Sequence, residues 1–226
     1  MKKTYNIAID GPAGAGKSTI ARLVAGKLGF VYVDTGAMYR AMALYFLRKG
    51  FDLKDEEKVG GACGEISVDI RYEDGEQQVL LNGENVSGLI RTEEVGNAAS
   101  AVSAYPAVRA ALLELQRTLA RTNNVIMDGR DIGSLVLPDA DCKIYLTAST
   151  KVRAVRRYKE LEEKGTVCSL EEIERDIIER DNRDMNRETA PLVQAEDAVY
   201  LDASAMSIDQ VVEKIIDLAR ERGLEA

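Results

Sequence analysis

Residues 11–22, GPAGAGKSTIAR, constrain this chain more than any other stretch. Glycine and alanine dominate the run ahead of a lysine and two hydroxyls. Such a run loses backbone entropy on folding and has almost nothing to bury in return. Its order therefore needs a partner from outside the chain. The spacing Gly11-x4-Gly16-Lys17-Ser18 fits the phosphate-loop pattern G-x-x-x-x-G-K-[ST]. The context fits too: TYNIAID reads as a β-strand before it, and STIARLVAGKLG as a helix after it. Glycines let backbone N–H groups turn inward onto phosphate oxygens, and the positive end of the helix faces the same place. Lys17 would reach the β- and γ-phosphates, and Ser18 would ligate Mg²⁺. The expected partner is a polyphosphate.

The rest of the chain alternates strands and helices. FVYVD, NVIMD, CKIYLTA and AVYLDAS are further buried-strand runs. Helical spacing covers TGAMYRAMALYFLRKG and residues 106–122, 150–164, 169–187 and 207–222. This rhythm predicts a parallel sheet covered by helices on both faces. Residues 64–90 break it. EISVDIRYEDGEQQVLLNGENV alternates apolar and polar residues, with hairpin-turn signals at Asp74-Gly75 and Asn82-Gly83. That segment reads as a small antiparallel insertion. The expected fold is thus an α/β P-loop NTPase fold with a five-stranded parallel sheet.

Composition removes several chemistries. The chain of 226 residues contains no histidine, so no His-based triad, His-ligated zinc or His general base exists here. The net charge of −8 argues against sequence-independent nucleic-acid binding and attraction to anionic membrane. Cys63, Cys142 and Cys168 lack metal-ligand spacing and read as reduced thiols of a cytoplasmic protein. The N-terminal run MKKTYNIAID is not a secretory signal, and no apolar stretch reaches the length of a membrane span.

A phosphate loop does not say where the γ-phosphate goes. The sequence lacks the D-x-x-G and N-K-x-D motifs of GTPase switches. It offers arginines in helical register instead. Arg153, Arg156 and Arg157 share one helix face, and Arg180, Asp184 and Arg187 continue the apolar stripe of Ile173 and Ile177. Guanidinium groups hold phosphate bidentately and neutralise a phosphoryl group in transfer. Residues 151–187 also carry ten basic and ten acidic side chains, so a solvated, salt-bridged helix pair is the competing reading. Asp128, Arg130 and Asp131 follow one strand directly, and Asp34 and Thr35 follow another. Ligands of open α/β sheets bind beyond the carboxyl ends of strands, which is where these residues fall. Taken singly, each could equally be a turn or cap residue.

Together, GPAGAGKST, VDTGAMYRA, LNGENVSGLIRTEEVGNAAS, PAVRAALLELQR, DGRDIG and ERDNRDMNRETAPL resemble the bacterial cytidylate kinase family, in family order from about residue 5 to about 220. The resemblance implies ATP and CMP or dCMP as substrates, Mg²⁺ as cofactor and a monomer. It implies a core over 1–60 and 105–226, an inserted monophosphate-binding subdomain over about 61–104, and a helical lid at about 150–170. Gly11, Gly14, Ala15, Gly16, Lys17, Ser18 and Thr19 would hold ATP, with Arg153 and Arg157 closing over it. Thr35 would lie near the acceptor's sugar or phosphate, where the family usually has serine. Arg40 and Arg130 would hold the acceptor phosphate, and Ser100, Arg109 and Asp131 would read cytosine. Arg180 and Asp184 would contact sugar and phosphate, and Arg187 phosphate. Lys17, Arg130, Arg157 and Arg187 would be catalytic.

Cytosine presents an amino donor that a carboxylate accepts, and acceptors that a guanidinium serves. Uracil inverts that pattern and would leave the carboxylate unmatched. A hydrolysing NTPase, a non-catalytic nucleotide-binding protein and a kinase of another acceptor remain open on the residues alone. For a hydroxyl acceptor Asp34 could serve as base, and either Asp34 or Asp128 could help order the Mg²⁺ shell.

Overall fold

The computed structural model describes residues 4–163, 165 and 167–225; residues 1–3, and Lys164 and Thr166 of the expected lid, lie outside the described residues. In chain order the elements are β1 (Asn6–Asp10), α1 (Lys17–Leu28), β2 (Val31–Asp34), α2 (Thr35–Arg48), α3 (Glu56–Ala62), β3 (Val68–Glu73), β4 (Glu76–Leu81), β5 (Glu84–Asn85), α4 (Glu93–Val102), α5 (Pro106–Thr122), β6 (Val125–Gly129), β7 (Cys142–Thr147), α6 (Thr150–Glu163), α7 (Leu170–Asn186), β8 (Val199–Asp202) and α8 (Ile208–Glu221).

Among these residues a five-stranded parallel sheet has the order β2-β6-β1-β7-β8. Ile7, Ile9, Ile126, Met127, Ile144 and Leu146 are fully buried, as expected for strands covered on both faces. Helices α1 and α8 pack against these strands. The end of α1 and the start of α8 are set by local chemistry. Gly29 ends α1 in the left-handed conformation, at φ 66°. Ser207 and Gln210 close a reciprocal capping box at the start of α8. In register, Asp10 lies opposite Gly129 on one side and Tyr145 on the other, which brings the carboxyl ends of β1, β6 and β7 to one rim. Directly after β6, residues Ile132–Val136 form a single π turn that periodicity does not predict. Lys143 is buried within β7, where its ammonium donates to Pro138 O and pairs with Asp197.

The chain divides into two compact units, residues 1–31 with 124–226, and residues 32–123. The second unit is wider than the antiparallel insertion alone. It holds the sheet β3-β4-β5 and also α2, α3, α4 and α5, with Phe46, Met38, Met42, Ile90 and Leu112 at its centre. Helices α3 and α4 were not expected from periodicity; α3 is only seven residues long. Both hairpin turns fall at the expected pairs. Asp74 and Gly75 have φ 51° and 79°, and Asn82 and Gly83 have φ 49° and 86°, the double positive φ that type I′ hairpin turns require.

Candidate active site

The phosphate loop is built by glycine conformations. Gly11, Gly14 and Gly16 have φ 147°, 75° and 91°. A Cβ on Gly11 would stand 1.9 Å from the carbonyl oxygen of Leu146 in β7. The loop delivers the chain into α1 with no side-chain cap at Gly16 and no acidic residue in the first turn. The helix N-terminus is therefore left to an anion. Lys17 is buried and donates to Gly11 O at 2.7 Å and to Pro12 O at 2.8 Å. Burial, with the nearby Arg130 charge, pushes its pKa down to about 7 against the opposing pull of Asp128, Asp10 and Asp184. Ser18 Oγ donates to Asp128 Oδ2 at 2.9 Å, so the hydroxyl of the loop and the end of β6 share one hydrogen bond.

The turn after β6 carries the next groups. Arg130 donates through Nε to Asp184 Oδ2 at 2.9 Å. Burial alone would raise the Asp184 pKa; the charge and hydrogen bond of Arg130, with Arg180 and Arg187, more than offset it and hold the carboxyl below its usual value. Arg180 from α7 and Arg187 from its C-cap thus bear on Asp184 together with Arg130; Arg187 has left the helix, with φ −68° and ψ 143°. Arg187 also donates to Ala190 O at 2.6 Å. Asp131 is buried, and the two amides after it, Ile132 N and Gly133 N, donate to the two carboxylate oxygens of Asp10.

The helical face of Arg153, Arg156 and Arg157 divides. Arg153 is buried and fully engaged: it donates to Ala13 O of the phosphate loop at 2.9 Å, to Ala148 O at 2.8 Å and to Asp181 Oδ2 at 2.6 Å. Its polar contact with the loop is thus through a backbone carbonyl. Arg156 donates to Ala203 O, and its Nη1 lies 4.0 Å from where a Cβ of Gly16 would be. Arg157 pairs with Glu160 along the helix at 3.2 Å. Ala15 is buried in the loop, while Gly14 and Thr19 are exposed.

The second unit gathers a separate set. Thr35 is buried at the start of α2 behind its N-cap, Asp34. The Asp34 carboxylate accepts from Ala37 N at 2.9 Å and from Arg91 at 2.8 Å, so both its oxygens are engaged. Gln77 of β4 exchanges two hydrogen bonds with the Asp34 backbone, tying the antiparallel sheet to that cap. Arg40 on α2 lays its guanidinium over Gly96 of α4, 3.8 Å from where a Cβ would stand. Ser100 is half-buried one turn further along α4. Arg109 on α5 stands 5.4 Å over the ring of Tyr39 and donates to Ser103 O at 3.0 Å.

Asp10, Asp181, Tyr39 and Arg91 are not singled out as site residues by the sequence, and Arg156 only as a member of one helix face. Asp10 carried a signal: a carboxylate closing an apolar strand directly ahead of the glycine loop. Asp181 carried one as well, four residues beyond Ile177 on the inward stripe of α7.

A parallel sheet that launches a glycine loop into a helix, with Arg130 close to its lysine, is the architecture of a P-loop kinase. The cytidylate kinase family profile matches residues 7–221, and the chain belongs to that family. It is 47% identical to cytidylate kinase of Ligilactobacillus salivarius, over 98% of this chain and 99% of that one. It is 49% identical to cytidylate kinase of Listeria innocua, again over 98% and 99% of the two chains. Among solved structures it is similar to shikimate kinase from Acinetobacter baumannii, at TM-score 0.47 and 18% identity over 98% and 96% of the chains.

Proposed function

We propose that this chain transfers the γ-phosphate of ATP to CMP or dCMP, giving CDP or dCDP. Its membership of the cytidylate kinase family over residues 7–221 carries that reading, and the chemistry of the residues agrees. The acceptor is a phosphate oxygen already ionised near neutral pH, so a chain without histidine lacks nothing the reaction needs. Catalysis is then positioning and charge neutralisation. Gly11, Gly14, Ala15, Gly16, Lys17, Ser18 and Thr19 hold the triphosphate in this reading. Lys17, Arg130, Arg157 and Arg187 neutralise charge as the phosphoryl group moves. Residues 150–170 act as the lid, and closure is what brings Arg157 to the nucleotide and excludes water. The engagement of Arg153 with Ala13 O and Asp181 favours a supporting role for it at the loop.

The donor set suits Mg²⁺. A hydroxyl and a carboxylate are hard oxygen ligands, and Ser18 and Asp128 already share a hydrogen bond. Ser18 would hold the ion directly and Asp128 through its water shell; Asp34 is engaged with Arg91 and its own helix. The ion supplies neutralisation of phosphate charge when bound.

Thr35, Arg40, Arg130, Arg180, Asp184 and Arg187 bind the acceptor's sugar and phosphate, and Ser100, Arg109 and Asp131 read cytosine. The monophosphate-binding subdomain is the insertion over about 61–104. In this reading the protein works as a cytoplasmic monomer without nucleic-acid or membrane partners. ATP consumption with Mg²⁺ against no acceptor, CMP, dCMP, UMP and AMP tests the reading. Fast formation of CDP and dCDP with little free phosphate is expected. Phosphate release that ignores the acceptor would overturn it.

A further inference from the structure

Asp10 is the last residue of β1 and the residue before Gly11. It is only 5% exposed. Its two carboxylate oxygens take two consecutive amides: Ile132 N donates to Oδ1 at 2.8 Å and Gly133 N to Oδ2 at 2.7 Å. Those amides open the π turn that follows Arg130 and Asp131. Both partners are donors and each meets its own oxygen; in this arrangement an amide side chain would set its NH₂ group against one of them. The fit is close. A Cβ on Gly133 would come within 3.4 Å of Asp10 Oδ2 and 3.2 Å of the Lys143 side chain.

We propose that Asp10 is a positioning residue for phosphoryl transfer: it locks the Arg130–Asp131 turn to the strand that launches the phosphate loop. This rests on reading Arg130 and Asp131 as acceptor-binding groups. The lock makes the donor loop and the acceptor-reading turn one rigid piece, so that a small error in one is not added to an error in the other. The arrangement carries an electrostatic cost. Burial raises the Asp10 carboxyl, the two amides pull it down, Asp131 adds to the rise and Lys17 opposes it, and the balance leaves it at about 6. The phenol of Tyr145 also feels the Asp10 charge. An apolar side chain here would leave the two buried amides without acceptors, so the carboxylate serves stability as well as geometry and the two roles are separated by kinetics.

Asp10→Asn offers one acceptor and sets an NH₂ group against the other amide. The expected result is a split. Affinity for a non-hydrolysable ATP analogue stays within about threefold, while KM for CMP rises at least tenfold and kcat falls ten- to a hundredfold. Preference for CMP over UMP should shrink with them. Gly133→Ala presses on the same lock from the other side and should give the same split, which keeps the test available if Asp10→Asn folds poorly. By NMR, the Gly133 amide of the unsubstituted chain should titrate between pH 5 and 7, and Asp10→Asn should abolish that titration. A uniform loss of ATP-analogue and CMP binding together with melting temperature would reduce Asp10 to a structural residue. Retention of CMP kinetics within twofold in both variants would overturn the proposal outright. If the unsubstituted chain does not phosphorylate CMP, the functional reading fails while the Gly133 titration still reports on the lock.

Discussion

Gly11 shows how little freedom a single position leaves. Its φ of 147° is open to glycine and strained for other residues, and a Cβ would meet the Leu146 carbonyl at 1.9 Å. Gly11→Ala should cost roughly 4 kcal/mol or more and lower the melting temperature by about 8–16 °C in a thermal scan. Asp10 gives a residue-scale effect with a definite sign. Its folded pKa of about 6 lies above the ordinary 3.8, so the folded state holds more proton than the unfolded one between those values. Its contribution to stability is complete below that range and is lost as pH rises through about 6, at no more than about 1.4 kcal/mol per pH unit. Urea unfolding at pH 4.5 and 6.5 should show this loss in the unsubstituted chain, and Asp10→Asn should lack it. Both effects trace to residues visible in the sequence, yet neither magnitude was. The phosphate-loop pattern marks Gly11, but the carbonyl that forbids a side chain there comes from residue 146.

At the scale of elements, α6 and α7 are joined by a buried ion pair rather than by apolar packing alone. The side chains of Arg153 and Asp181 are 4% and 9% exposed, and Arg153 carries the link on to the phosphate loop at Ala13. The second oxygen of Asp181 has no hydrogen-bond partner among the described residues, so the pair is not fully satisfied. Arg153→Leu or Asp181→Leu alone leaves a buried charge and should cost about 3–5 kcal/mol. The double variant Arg153→Met with Asp181→Leu should recover much of that, and a double-mutant cycle by denaturant titration measures the coupling. Helical spacing made the arginines legible as one face. It could not say that Arg153 turns to Asp181, Arg156 to Ala203 and Arg157 to Glu160, because those partners lie on other elements or depend on which rotamer packing allows. The helices α3 and α4 were missed for a related reason: α3 is a single short stretch, and Gly96 in α4 reads as a breaker until the guanidinium of Arg40 is laid over it.

For the whole molecule, each unit carries its own core and its own set of polar groups. The residues proposed to hold the triphosphate lie in the unit of residues 1–31 and 124–226, and Thr35, Arg40, Ser100 and Arg109 lie in the unit of residues 32–123. Under the proposed function, an ATP analogue alone should slow amide hydrogen exchange in residues 11–20. CMP should add protection at residues 35–40 and 96–109. Either ligand at a hundred times its Kd should raise overall stability by about 2.7 kcal/mol. Hydrogen exchange read by mass spectrometry checks the first two, and denaturant titration the third. Protection by CMP confined to residues 11–20 would contradict the assignment of those four residues.

The sequence by itself determined the class of fold, the place of the phosphate loop, the antiparallel insertion with its two turns, and the absence of histidine chemistry. These are legible because they rest on local rules: glycine conformations, hairpin-turn pairs, the periods of strand and helix, and simple composition. The tertiary structure decided how Asp10 is bound to the turn after β6, that Arg153 turns to Asp181, and which carboxylate stands beside Ser18. Each of those depends on a hydrogen bond between residues about 30 to 120 positions apart. Periodicity places a side chain on a face, but only packing chooses its partner.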